Sequence, residues 1–327
     1  MSKLRRIISR LQPMGRATPA VALSHDADRH AAAPAERRAT LAGYAWMSLA
    51  VLIWASWLVL TSSGRTTALS VVDLAALRAV IPAVLLAPLL WRSRDQIVQL
   101  GVKRGLILSA YGAPFTLLVG HGLGYAPVTH AGAMVPGLMP VFAAVLAYVF
   151  LGQRLRKRKA LALMLVLAGA TTILTGAGRP LPAQGMGTGH LLFLLGALCW
   201  ACFTVTLRAY EIPAVLATAI VGAVSAVWLL PLWIALDLSN IGAAHWVDIA
   251  FQAAFQGIIS GLISMYAFSR ALRLIGGRAS VLSALTPGVA TLLAIPVLGQ
   301  VPQPSDLLAL VLVVAGLVIW NLGPKTT

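Results

Sequence analysis

Residues 138–153 read LMPVFAAVLAYVFLGQ, and residues 285–300 read LTPGVATLLAIPVLGQ. Laid over one another at an offset of 147, they agree at 8 of 16 positions, among them Leu138, Pro140, Ala143, Leu146, Ala147, Leu151, Gly152 and Gln153. The same offset places 161–169 on 308–316 with 7 of 9 residues identical. An offset of 146 places Leu49, Leu52, Trp54 and Ala55 on Leu195, Leu198, Trp200 and Ala201. An apolar chain produces chance matches. Matched Pro, Gly, Gln and Trp in one register are the mark of an internal repeat.

The composition says where such a repeat resides. The chain has 327 residues, 59% hydrophobic and only 10% charged, whereas soluble proteins average about 25% charged. Residues 1–40 hold 11 of the charged residues, which leaves long uncharged runs in the remainder. A soluble globular fold is excluded, and two cysteines do not make a secreted disulfide scaffold. The net charge of +16 invites a nucleic-acid reading, but the basic residues sit between apolar runs, where membrane topology explains them. The fold class is therefore an all-α polytopic membrane protein, with the lipid bilayer as partner and no nucleic acid.

Ten apolar segments are each near the ~20 residues needed to cross hydrocarbon. They are 41–62, 70–91, 105–126, 129–151, 159–178, 188–208, 213–235, 248–270, 279–299 and 306–323, numbered below as spans 1 to 10. Turn formers join them, as at Ser62-Ser63-Gly64 and Pro302-Gln303-Pro304. With a cytoplasmic N-terminus, 22 Lys and Arg fall inside and two, Arg65 and Arg179, outside, while Arg78 lies within a span. That bias places both termini in the cytoplasm. Trp46, Trp91, Trp246 and Trp320 lie near span ends, as interfacial anchors do.

Residues 1–40 form a basic cytoplasmic tail. Leu4, Ile7, Ile8 and Leu11 have the spacing of an interfacial amphipathic helix, and a disordered tail or a transit peptide are the other readings. The Ala/Pro/Arg-rich stretch 17–40 reads as disordered. The remainder divides into 41–178 and 188–323, five spans each. An odd number of spans makes the two units enter the membrane from opposite sides. The loops agree with inversion: 152–159 has five basic residues and its partner 299–306 none, and 92–104 has four and its partner 236–247 none. Inverted repeats belong to secondary transporters, with the substrate site between the halves near midplane.

Gly122-Leu-Gly-Tyr125 through Ala131-Gly-Ala-Met-Val, Pro140-Val, Leu151-Gly-Gln-Arg-Leu155 and Ala168-Gly169 in the first unit resemble EamA-type permeases of the drug/metabolite transporter superfamily. Ala271-Leu272, Arg278-Ala-Ser280, Pro287, Leu298-Gly-Gln300 and Ala315-Gly316 repeat the pattern in the second. The resemblance covers about residues 41–323. It implies an export permease of the bacterial cytoplasmic membrane, with a central cavity lined mainly by spans 1, 3, 4, 6, 8 and 9. One departure is visible: the family often has Glu after the Leu-Gly pair, and both units here have Gln.

No lysine follows a glycine, so no P-loop exists. Transport is passive, ion-coupled or partner-driven, and no cofactor or metal is implied. The expected substrates are small metabolites, amino acids or similar polar solutes. Drug-like, nucleoside or sugar-derivative substrates are the alternative, and a non-transporting scaffold is a third reading. An enzyme is not expected, since no His-Glu-x-x-His, acid cluster or serine elbow occurs.

Candidate cavity residues follow from polarity, aromaticity and repeat position. Arg78 lies about eight residues into span 2, roughly 12 Å from its outer end, and either attracts a substrate carboxylate or pairs with Asp73. His121 is the histidine well inside a span and the first candidate to titrate, with a structural hydrogen bond as the other reading. Pro140 and Pro287 are repeat-related mid-span prolines, hinges or static kinks. Trp54 and Trp200 are repeat-related as well, with Trp57 one turn from Trp54, and they line a cavity or pack. Tyr111, Tyr266 and Thr204 offer mid-span hydroxyls. Cys199-x-x-Cys202 sits in an apolar helix, where packing is the expectation. Gly120-x-x-x-Gly124 and Gly257-x-x-x-Gly261 permit close helix approach, within the chain or across a homodimer.

Overall fold

The computed structural model describes residues 19–64, 67–152, 155–176 and 184–322. The stretch Leu4–Leu11, the glycine-proline turn at 178–180, and Gln153 lie outside the described residues. Among the described residues, those from 43 to 322 form one compact unit and those from 19 to 42 another. The first helix is Pro19–Gly64, so helix begins where the sequence predicts disorder. Nine alanines among residues 19–42 account for it, since alanine has the highest intrinsic helix propensity.

Eight helices among the described residues are long and apolar enough to cross a bilayer unaided: Arg37–Gly64, Val128–Phe150, Lys157–Thr175, Met186–Ala209, Ala214–Ala235, Trp246–Ile275, Gly277–Leu298 and Pro304–Asn321. These are spans 1 and 4 to 10. Spans 2 and 3 are helical too, but interrupted. Span 2 runs as Val71–Leu85 and then Ala87–Arg92. Span 3 runs as Val102–Leu108, a 3-10 turn Ser109–Tyr111, and Ala113–Gly122. The interruptions have local causes. Pro82 and Pro88 remove backbone donors from span 2, and Pro114 follows directly on Gly112-Ala113 in span 3. Span 9 also breaks, into Gly277–Ser283 and Thr286–Leu298, with Pro287 in the first turn of the second piece. Its repeat partner Pro140 leaves Val128–Leu151 unbroken. The two prolines therefore do different things to their helices.

The repeat is visible in the packing. Equivalent helices of the two halves pair with each other: span 2 with span 7, span 4 with span 9, span 5 with span 10. The 5–10 contact is reciprocal. A Cβ on Gly169 would fall 2.8 Å from the carbonyl oxygen of Ala309, and a Cβ on Gly316 would fall 2.7 Å from that of Ala162. Gly169 and Gly316, Ala162 and Ala309, are partners at the offset of 147. Each glycine also meets the other helix's equivalent valine, Val313 or Val166. Only a local two-fold relation between the halves makes such a contact. The helix ends repeat as well: Gly152 and Gly299 both close their helices in the left-handed region, at φ 62° and 66°, which glycine adopts without penalty. The molecule is an all-α polytopic membrane protein built from an inverted repeat.

Candidate functional site

A small cavity lies among spans 2, 3, 6, 7 and 8. Span 2 contributes Ala75, Arg78, Ala79 and Pro82; span 3 the segment Tyr111-Gly112-Ala113; span 6 Phe203. Spans 7 and 8 close it with Thr218, Ser225, Ser260 and Met265 among others. Its volume is about 40 Å³, room for about three or four waters at roughly 10–15 Å³ each. Spans 3, 6 and 8 belong to the lining that the family resemblance implies, and spans 2 and 7 line this cavity beside them. The interruption of span 3 falls at the cavity wall, where Tyr111, Gly112 and Ala113 line it.

Arg78 is the centre of the arrangement. Its Nη1 donates to Ser260 Oγ at 2.6 Å, and its guanidinium lies 5.0 Å from the Trp57 ring centroid. A cation over an indole face gains on the order of 2 kcal/mol when both are desolvated. Among the described residues no carboxylate lies within ion-pair distance of it; the pairs present are Arg94–Asp95 and His130–Asp306. Asp73, the alternative partner for Arg78, is committed elsewhere. It is fully buried and forms a capping box with Ser70 at the start of span 2. It also accepts from Trp233 Nε1 at 2.9 Å and from the Asn240 amide at 3.2 Å. Pro82, one turn beyond Arg78, has no N–H for the Arg78 carbonyl, so polarity is added to the same wall.

Span 8 holds this cation through a feature of its backbone. The helix widens to π geometry over Ala253–Ile263, a form that recurs at functional sites. Gln252, Gln256, Ser260 and Ser264 follow one another at intervals of four and are all buried. Gln256 Oε1 accepts from Trp57 Nε1 at 2.9 Å, and its amide donates to Thr61 Oγ1 at 3.3 Å and Gln252 Oε1 at 3.1 Å. The stripe thus fixes Trp57, and Trp57 with Ser260 fixes Arg78. Gly257 and Gly261 lie on the same stretch, where side chains would meet Ile81 and Pro82 of span 2. This glycine pair serves packing inside the chain.

An aromatic wall completes the site. Trp57 stacks on Phe115 at 5.3 Å, and Tyr111 stacks on Phe203 at 4.7 Å. Tyr111 also meets Phe115 at 4.7 Å and Trp200 at 5.8 Å. Span 3's break positions Tyr111: the Ala113 amide donates to Ser225 Oγ at 3.0 Å, and a side chain on Gly112 would strike Ser225.

Trp57, Arg78, Tyr111 and Trp200 therefore come together. The other candidates sit apart. Trp54 packs on Phe268, ring centroids 5.3 Å apart, and Tyr266 is 47% exposed with its edge toward Trp46. Thr204 donates to the Trp200 carbonyl of its own helix. His121 is exposed, Nδ1 on the Leu117 carbonyl at 2.8 Å. Pro140 and Pro287 are buried, Pro287 facing Gly132 of span 4. Ser260, Ser225 and Gln256 were not singled out by the sequence, although the buried polar residues every fourth position of span 8 carry a readable signal. Cys199 and Cys202 are free thiols.

Two five-helix halves related by a local two-fold, with a polar cavity among helices of both, are an arrangement that inverted-repeat transporters share. Residues 41–175 and 187–322 each match the EamA-like transporter family, and the chain belongs to it. The chain is 29% identical over 165 residues to the uncharacterized transporter YyaM of Bacillus subtilis (strain 168). That match spans 48% of this chain and 52% of the relative, about half its length. A solved crystal structure shares the fold, with TM-score 0.55 and 21% identity over 87% of this chain and 98% of its own.

Proposed function

We propose that this membrane transporter moves small carboxylate-bearing metabolites, amino acids or similar polar solutes, out of a bacterial cell across its cytoplasmic membrane. Arg78 carries the reading: a largely enclosed cation, oriented by Ser260 and Trp57, with no carboxylate in ion-pair reach among the described residues. A charge in a low-dielectric site is costly unless paired, so the site is short of one anionic group, and a substrate carboxylate supplies it through charge-assisted hydrogen bonds. The charge bias of the loops supports cytoplasmic termini. The two-fold relation supports alternating access, with 41–178 rocking against 188–323. A second reading rests on the aromatic wall of Tyr111, Phe115 and Phe203, which suits a flat ring and so a nucleoside or drug-like solute.

The test is counterflow into proteoliposomes preloaded with pooled amino acids. Saturable uptake of one class of labelled amino acid is expected. Saturable exchange of nucleosides or cationic dyes, with none for any amino acid or carboxylate, refutes the reading.

A further inference from the structure

Basic side chains crowd the corner where spans 5, 6 and 10 end together. Span 5 opens on Arg156-Lys157-Arg158-Lys159 and packs along span 10, whose last turn holds Ile319 and Trp320. Arg158 donates from Nε and Nη2 to the Ile319 carbonyl at 3.3 and 3.1 Å, which ties the two helices together. Lys159 Nζ lies 4.9 Å from the Trp320 ring centroid. Arg208, in the last turn of span 6, and Arg156 stand close enough to Lys159 for their charges to repel it. Arg156, Lys157 and Arg208 are exposed, and Arg154 lies outside the described residues.

Membrane topology does not require this crowding. The positive-inside bias is met by Lys and Arg anywhere in an inner loop. It does not call for cations of separate spans to be held against one another, where like charges repel. The macrodipole of span 5 adds positive potential at the same place. Among the described residues no carboxylate lies within ion-pair distance of any of these cations. Glu211, three residues beyond Arg208, makes no ion pair with it. Just past the inner end of span 2, by contrast, Arg94 has Asp95 beside it. The corner is short of negative charge. Along span 5 the exposed face then turns apolar at once: Leu161 and Met164, four and seven residues on from Lys157 and so on its side of the helix, are 51% and 67% exposed. Charge above an apolar stripe matches a headgroup and its chain, and a free anion has no use for the stripe.

We propose that this corner binds one anionic phospholipid, its phosphate among Arg156, Lys157, Lys159 and Arg208 and an acyl chain along Leu161 and Met164. The cations give the phosphate charge-assisted hydrogen bonds, and basic pockets between membrane helices on the cytoplasmic side suit such headgroups. Trp320 stands at headgroup level, as interfacial tryptophans do, and carries the Lys159 ammonium on its ring. Span 5 belongs to the first half and spans 6 and 10 to the second, so the lipid bridges the halves at this end. The site does not depend on which solute Arg78 admits.

The full chain in detergent micelles is titrated with phosphatidylglycerol, and with phosphatidylcholine of the same chains, and occupancy is read by native mass spectrometry. One saturable phosphatidylglycerol is expected, held roughly tenfold or more tighter than phosphatidylcholine. Each cation removed near an anionic headgroup should weaken binding about fivefold. Lys159→Gln with Arg208→Gln should therefore lose about thirtyfold. Arg156→Gln with Lys157→Gln should lose as much, and since both side chains are exposed this pair serves even where the first fails to fold. Arg273→Gln with Arg278→Gln removes the same charge from the ends of spans 8 and 9 and should leave the affinity unchanged. Equal affinity for the two lipids, or an equal loss in the Arg273 and Arg278 variant, overturns the site. Inorganic phosphate that displaces phosphatidylglycerol at equal concentration assigns the corner to a free anion and overturns the lipid.

Discussion

Alanine at Gly316 should destabilise the protein, and alanine at Gly169 should do so to the same extent. The magnitude follows from the crossing of spans 5 and 10. The added methyl at residue 316 would stand 2.7 Å from the Ala162 carbonyl oxygen and 2.7 Å from Val166 Cγ2; at residue 169 the carbonyl is 2.8 Å away and Val313 Cγ2 also 2.8 Å. A backbone oxygen cannot rotate aside, so the helices must separate by roughly half an ångström or more. Overpacking of this kind costs about 1–3 kcal/mol. Against it stands about 1 kcal/mol of helix propensity gained on replacing glycine. The net expectation is a loss of up to about 2 kcal/mol for each substitution. One separation relieves both clashes, so the double variant should lose less than the sum of the singles, a coupling that a double-mutant cycle reads directly. The assay is equilibrium unfolding in mixed micelles followed by tryptophan fluorescence. A stabilising result at either glycine, clearly unequal losses at the two, or full additivity in the double variant would refute the two-fold packing argument.

Other outcomes follow from the same contacts. Gln256→Leu leaves the Trp57 indole N–H and the Thr61 hydroxyl without their present partner, and should cost on the order of 1–3 kcal/mol in the same unfolding assay. Because Trp57 orients Arg78, the Gln256 variant should also raise the half-saturation concentration for counterflow; an unchanged value would detach Trp57 from the site. Asp73→Ala strips acceptors from Ser70, Trp233 and Asn240 and should lower stability by about 2–3 kcal/mol, with midpoint unfolding as the check. Substrate preference should be kept in whatever fraction of that variant remains folded, because Asp73 is not the partner of Arg78.

The fold was legible because its decisive signals are one-dimensional. Apolar runs, Lys and Arg between them, and the register of Leu151-Gly152 with Leu298-Gly299 need no knowledge of contacts. The interruptions of spans 2 and 3 were harder to read, although Pro82, Pro114 and Gly112 stand in plain view. A proline in a hydrophobic run can be a kink, a break or neither, as Pro140 and Pro287 demonstrate in opposite senses. Among the site residues, Arg78, Trp57 and Tyr111 stand out by cost or size in an apolar helix. Ser260 and Gln256 do not, because serine and glutamine become telling only when the helix winding that aligns them is known. The hydrogen-bonded group of His130, His190 and Asp306 could not be read from spacing at all. Each member sits unobtrusively at the start of a different span, 60 and 176 residues from His130 in sequence, and only the closed bundle joins them. His121 drew attention instead because it lies deeper in its own segment, but depth along a helix does not say which way a side chain faces.

The central claim is that Arg78 selects a carboxylate. It is tested most directly by counterflow of one transported amino acid against its carboxamide, in the wild-type protein and in Arg78→Gln. Each good charge-assisted contact is worth about 1.5–3 kcal/mol, so the wild type should prefer the free acid by roughly ten- to a hundredfold, and the variant should lose that preference while remaining folded. Equal exchange of acid and amide by the wild-type protein, or an undiminished preference in Arg78→Gln, would contradict the account.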